Sequence, residues 1–278
     1  MKPSAAAISV TALSLASAIA CAAAPAEPAA FVVELENPLA SKAPLQGYLR
    51  QSHHTGPSPA VVLLHGCNGN WQRLDERWGK QIASWGYVTL TVDSFGPRGI
   101  KNCDDSAPLD LATDAYRALT FLVRAPFVDP TRIAVLGFAQ GGRVALMSVE
   151  HGAIEQTSPN KFRAAIAFYP PCGPFRGDVT VPTLILIGER DDLNPAAACR
   201  DMVDGRDDMG ISRRPAKGVP IRLIVYPGAY HAFDAPNLKT TTNLAGHHHE
   251  FNQSATDQSI AALHEFLDAT IGPKIAEK

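Results

Sequence analysis

The stretch Arg132–Met147 reads Arg-Ile-Ala-Val-Leu-Gly-Phe-Ala-Gln-Gly-Gly-Arg-Val-Ala-Leu-Met. Ile133–Leu136 is continuously apolar, as a strand buried on both faces must be. Gly137 follows, then a sharp turn, then Gly141-Gly142 and a helix-like continuation. This is the strand–turn–helix context of a G-x-S-x-G nucleophile elbow. Such a turn strains its apex residue and thrusts that side chain outward. A Cβ at Gly137 or Gly141 would meet neighbouring backbone, so both positions call for glycine. The apex itself is Ala139, which has no nucleophilic atom.

Outward from this stretch the chain alternates strands and helices. Towards the N-terminus, Phe31–Glu36 and Leu45–Arg50 alternate like antiparallel edge strands. Ala60–His65 and Tyr87–Val92 are apolar runs ending in glycine-bearing loops, with a helical Trp71–Trp85 between them. Leu109–Arg124 places Leu111, Ala115, Leu119 and Leu122 on one stripe, and Pro126 stops it. Towards the C-terminus come strands Ala164–Tyr169, Thr183–Ile187 and Ile221–Tyr226. Pro195–Val203 reads as a short helix with Asn194 as N-cap, Asp204–Gly218 as a polar surface loop, and Ser254–Ile271 as a closing helix. Apolar strands without a period of two predict a mostly parallel α/β sheet with helices on both faces, and function at the strands' carboxyl ends.

The 278 residues are 46% hydrophobic and 19% charged, with formal net charge -2. The length suits one large α/β domain, and without a basic block nothing points to nucleic acid or an anionic membrane surface. Residues 1–24 read as a signal peptide: Lys2, then an Ala/Ser/Val/Leu/Ile run too short and weakly apolar to span a bilayer. Residues 25–30 form a short linker and 31–278 a single domain. This predicts export, periplasmic or secreted; a lipid anchor at Cys21 is the second choice because Ala18 stands where such a cleavage box prefers Leu. Cys67, Cys103, Cys172 and Cys199 remain after cleavage. Each follows an inferred strand, and neighbouring loops suggest Cys67–Cys103 and Cys172–Cys199 pairs, with four buried free thiols as the alternative.

Three strand ends carry the chemistry. Ala139 stands at the elbow, Asp191 lies in Gly188–Pro195, and His231 follows the last strand in Tyr226–Phe233. Nucleophile position, acid, histidine is the chain order of α/β-hydrolases. The histidine would take the nucleophile's proton, and the acid would fix its tautomer and stabilise the imidazolium. Backbone N–H groups of Gln140, at a helix N-terminus, and Cys67, after the Ala60–His65 strand, are the expected oxyanion donors.

From about Pro59 onward the chain resembles the dienelactone hydrolase family. The stretches that carry this are Leu64-His65-Gly66-Cys67, Gly137-Phe138-Ala139-Gln140-Gly141-Gly142, Phe168-Tyr169-Pro170, Gly188-x-x-Asp191-x-x-x-Pro195 and Tyr226-Pro227-Gly228-Ala229-x-His231-Ala232-Phe233. The resemblance implies an α/β-hydrolase fold with about eight strands and a triad at Ala139, Asp191 and His231. It also implies hydrolysis of small esters or lactones without metal or cofactor. Members carry Cys or Ser where this chain has Ala139. Either a hydrolase has had its nucleophile replaced, or a family member survives as a ligand-binding or sensing pseudoenzyme. A third possibility has His231 activate water directly.

Other residues have competing readings. Asp192 is the runner-up acid, and Cys67 a runner-up nucleophile. Arg98 could contact an anionic substrate or lie solvated. Trp71, Trp78 and Trp85 read as packing rather than a stacking platform. His247-His248-His249-Glu250 reads as a polar loop, since consecutive histidines project in different directions and no metal site is expected.

Overall fold

The computed structural model describes residues 30–36, 45–52, 56–103, 111–206, 219–238, 242–244 and 246–272. The expected leader, nearly all of the linker and most of the Asp204–Gly218 loop lie outside them. Eight strands form one sheet: β1 (Ala30–Leu35), β2 (Leu45–Arg50), β3 (Ser58–Leu64), β4 (Val88–Asp93), β5 (Val128–Phe138), β6 (Ala164–Phe168), β7 (Thr183–Gly188) and β8 (Ile221–Tyr226). Their spatial order is β1-β2-β4-β3-β5-β6-β7-β8. The β1–β2 and β2–β4 pairs are antiparallel; every other pair is parallel.

The apolar runs explain this arrangement. Every residue of β3, β4, β6 and β7 is buried, because helices cover both faces of the parallel part. Along β3 alternate side chains enter different cores. Val62 and Leu64 pack beneath α3 (Leu111–Arg124) with Ala115, Leu119 and Leu122. Val61 and Leu63 join Trp78 and Leu263, Phe266 and Leu267 of α7 (Gln253–Ile271). Residues Leu64, Gly137 and Val92 are at one level of the sheet, as are Phe138 and Phe168 and then Gly188 and Tyr226. The loops after these residues therefore emerge along one edge.

Several details differ from the sequence reading. The helix after β3 is α1 (Trp71–Leu74), a π turn (Asp75–Gly79) and α2 (Lys80–Ser84). Such a widened turn is a common device at functional sites. Helix α4 (Gln140–Met147) follows the elbow; a short α5 (Ala153–Thr157) was not anticipated. Helix α6 (Ala196–Asp204) is capped by Pro195, not Asn194, whose amide instead donates to the Tyr169 carbonyl at 2.7 Å. The histidine run is no loop. It forms β10 (His247–His249), paired antiparallel with β9 (Thr242–Leu244).

Candidate active site

The site is built from the elbow upward. Ala139 adopts φ 50°, ψ -112° between β5 and α4, a region an L-residue occupies at a cost of about 1–3 kcal/mol. Glycine makes the turn possible on both sides. A Cβ on Gly137 would lie 1.9 Å from the Gly141 carbonyl oxygen, and one on Gly141 would lie 2.2 Å from that of Leu64. The Ala139 N–H donates to the Phe168 carbonyl at 3.0 Å, fixing the apex against β6.

Asp191 and His231 meet directly. His231 Nδ1 lies 2.8 Å from Asp191 Oδ2, and both residues are 4% exposed. The other carboxylate oxygen, Oδ1, accepts the N–H groups of Leu193 at 3.1 Å and Asn194 at 2.8 Å. Both oxygens of the buried acid are thus occupied, as a buried charge requires. Asp192, the runner-up, accepts the His248 N–H instead.

The expected oxyanion donors flank the elbow. Gln140 is the first residue of α4. The loop bearing Cys67 abuts the turn: a Cβ on Gly66 would come within 3.6 Å of the Ala139 Cβ. His65 holds that loop in place. Its Nε2 accepts the Ser94 N–H at 3.2 Å, so its Nδ1 carries the proton and donates to the Gly66 carbonyl at 2.8 Å. Burial holds its pKa below the usual histidine value.

Cys67 is bonded to Cys103 and Cys172 to Cys199, the pairing expected from neighbouring loops. The first bridge fastens the Gly66–Cys67 loop. The second ties the segment after β6 to α6, the helix that follows the acid loop in sequence. A disulfide-bonded Cys67 has no thiol, which removes it as a nucleophile. Arg98 is neither solvated nor free. Its terminal nitrogens grip Asp114 at 2.5 and 2.8 Å and the Ser94 carbonyl at 2.7 Å, so it holds the loop after β4. Trp71 stacks on Tyr48 and Trp85 on His264, while Trp78 is buried against Phe138 and Phe168.

Three residues escaped the sequence reading. Tyr169, at φ 39°, packs its ring 4.6 Å from His231 and 6.1 Å from Phe138, bridging the histidine and the elbow strand. Its hydroxyl donates to buried Asp234 at 2.7 Å; burial, then Asp234, push its pKa well above the ordinary value. Asp234 also accepts Trp78 Nε1 at 2.8 Å and pairs with Arg77 at 3.3 Å, both on the π turn. The third is His249, bridged to His231 along the main chain and packed edge-on against its ring at 5.0 Å. Only Phe168-Tyr169-Pro170 hinted at any of them.

With this geometry in hand, the profile of the dienelactone hydrolase family matches residues 45–271. An uncharacterized protein of Mycobacterium tuberculosis is 30% identical over 197 residues, 64% of this chain and 65% of that protein. Mouse S-formylglutathione hydrolase is 31% identical over 153 residues, 46% of this chain and 51% of the enzyme. The chain thus spans less than two thirds of either relative's length. Among solved structures, a dienelactone hydrolase-like promiscuous phosphotriesterase from metagenomic libraries superposes with TM-score 0.65 at 19% identity, covering 89% of this chain and 100% of that one. The sheet is that of an α/β-hydrolase carrying a carboxylic ester hydrolase scaffold. The chain belongs to the dienelactone hydrolase family.

Proposed function

We propose that this chain is an exported family member whose site is shaped to hydrolyse small ester or lactone bonds through an acyl-enzyme, with Ala139 at the nucleophile position. The observation that carries the reading is the buried Asp191–His231 hydrogen bond in a chain whose elbow keeps its strained backbone and both glycines. In a triad of this form His231 Nδ1 donates to Asp191, leaving Nε2 to take a proton from a hydroxyl or thiol at position 139. The attacked carbonyl's oxyanion would meet the N–H groups of Gln140 and Cys67 in the polarised field of the α4 N-terminus. The leaving group would depart with the proton held by His231, and water activated by the same imidazole would release the acyl group. Arg98 is given no substrate contact, because its guanidinium is committed to Asp114. Export is supported by the leader-like residues 1–24 and by two disulfides that suit an oxidising compartment.

Ala139 itself favours a second reading, a ligand-binding or sensing protein on the hydrolase scaffold. The two separate on a panel of short-chain aryl esters assayed with this chain, Ala139→Ser and Ala139→Cys. A gain of at least about 10³-fold in either variant, the scale a triad member is worth, supports the hydrolase reading. Two folded but inactive variants sink it and leave the binder.

A further inference from the structure

Outside the expected triad, the histidine hairpin makes the most pointed contacts with the site. β10 lies across both loops that carry the acid and the histidine. On the acid side, the His248 N–H donates to both Asp192 oxygens, at 3.1 and 3.2 Å, beside Asp191. On the histidine side, His248 stacks flat on Tyr230, with centroids 3.6 Å apart and planes 3° apart. One residue further along each segment, His249 and His231 form a parallel main-chain bridge, and their rings meet edge to face. The hairpin therefore clasps the acid loop and the histidine loop at once.

The His231 imidazole is consequently held from three directions. Asp191 fixes Nδ1, the Tyr169 ring packs at 4.6 Å and 61°, and the His249 ring packs at 5.0 Å and 77°. Neither hydrogen bond nor single ring contact alone sets all the ring's rotations. The Asp191 bond leaves the imidazole free to rock about the Nδ1···Oδ2 line; two rings crossing it at steep angles stop that motion. His249 suits this place because it is itself immobile. It is 8% exposed, and its Nδ1 is tied to the His247 carbonyl at 3.1 Å. Burial lowers its pKa below the usual histidine value; the His247 carbonyl opposes this in part, His231 adds to the lowering, and Asp191 and Asp192 oppose it more weakly.

We propose that His249 is a positioning residue for His231: its ring, held on β10, fixes the rotation of the imidazole that moves the proton. This deepens the hydrolase reading and rests on it. In the Ala139→Ser chain, His249→Ala should lower kcat about 10- to 100-fold with KM within about twofold, the signature of a misplaced group rather than a lost binding contact. His249→Phe keeps a flat ring at the same place and should restore most of kcat. Unchanged kcat in His249→Ala overturns the proposal. A folded His249→Phe as slow as His249→Ala also overturns it, because ring packing would then not be what matters. If neither Ala139→Ser nor Ala139→Cys shows turnover, the hydrolase reading has failed. The positioning claim is then decided in the unsubstituted chain by the low-field NMR resonance of the His231 Nδ1 proton. Broadening or loss in His249→Ala and recovery in His249→Phe support it; an unaltered resonance in His249→Ala overturns it.

Discussion

The elbow strand, through Tyr169, and the histidine hairpin both lead to the His231 imidazole but are made by different means. At Gly137–Gly142 the constraint is steric and written in the glycines themselves: Gly137 is crowded by Gly141, and Gly141 by the Leu64 carbonyl of β3. Three glycines, one strand and one helix force the turn, and adding a single carbon at Gly137 would bring it 1.9 Å from backbone oxygen. His247–His249 is a strand through its local pairing with β9, but the contacts that aim it at the site come from Asp192, Tyr230 and His231, distant in sequence. Steric necessity at glycines makes the part of the site that is spelled out; side-chain and main-chain contact across the fold makes the part that is tuned.

On the proposed hydrolase reading, breaking the Asp191–His231 pair should have the largest effect. In the Ala139→Ser chain, His231→Ala or Asp191→Asn should erase the gain in ester hydrolysis, a loss of about 10³–10⁴-fold in kcat. Retained activity would mean that the contact at 2.8 Å is structural only. Next comes the elbow: Gly137→Ala or Gly141→Ala should lower unfolding free energy by at least about 3 kcal/mol or prevent folding, read by denaturant titration. A near-neutral result would show that the turn yields and that its sequence signature overstates its rigidity. Opening the Cys172–Cys199 bridge, by paired Cys→Ala substitution, should cost about 3.5 kcal/mol for its 27-residue separation, measured the same way.

The acid side of the stability curve gives a smaller, signed test. His65 has a folded pKa depressed by burial below the unfolded value of 6.5. The folded state then binds fewer protons than the unfolded one as pH falls. Its contribution is complete above about pH 6.5 and is lost as pH drops towards the folded pKa. His65→Gln should flatten this part of the curve, and an unchanged slope would count against a neutral, buried His65. Smallest of all, Ala139→Gly should raise stability by about 1 kcal/mol, because glycine adopts φ 50° without strain. Destabilisation instead would mean that the Ala139 methyl contributes packing that outweighs its torsion.

Much of this molecule is legible before any coordinates. The apolar strands announce the parallel sheet because burial on both faces leaves no room for alternation. The cysteine pairs follow from loops emerging at one edge. Asn194 misleads because a cap residue's amide can equally bond across the fold, here to the Tyr169 carbonyl. Asp234 is invisible for a similar reason: Trp78 and Tyr169, its partners, stand 156 and 65 residues away. Arg98 looks like a substrate ligand only until Asp114 is seen beneath it. His249 hides in a run whose members face different neighbours, so no periodicity distinguishes it.

The two disulfides have a further consequence in time rather than in space. Cys67–Cys103 and Cys172–Cys199 are consecutive, neither nested nor interleaved along the chain. On the export reading, a chain delivered N-terminus first presents Cys67 and Cys103 before Cys172 has emerged. An oxidant that joins cysteines in order of arrival would produce the native bonds from the start. Such a protein should mature with an oxidase alone and gain nothing from a disulfide isomerase.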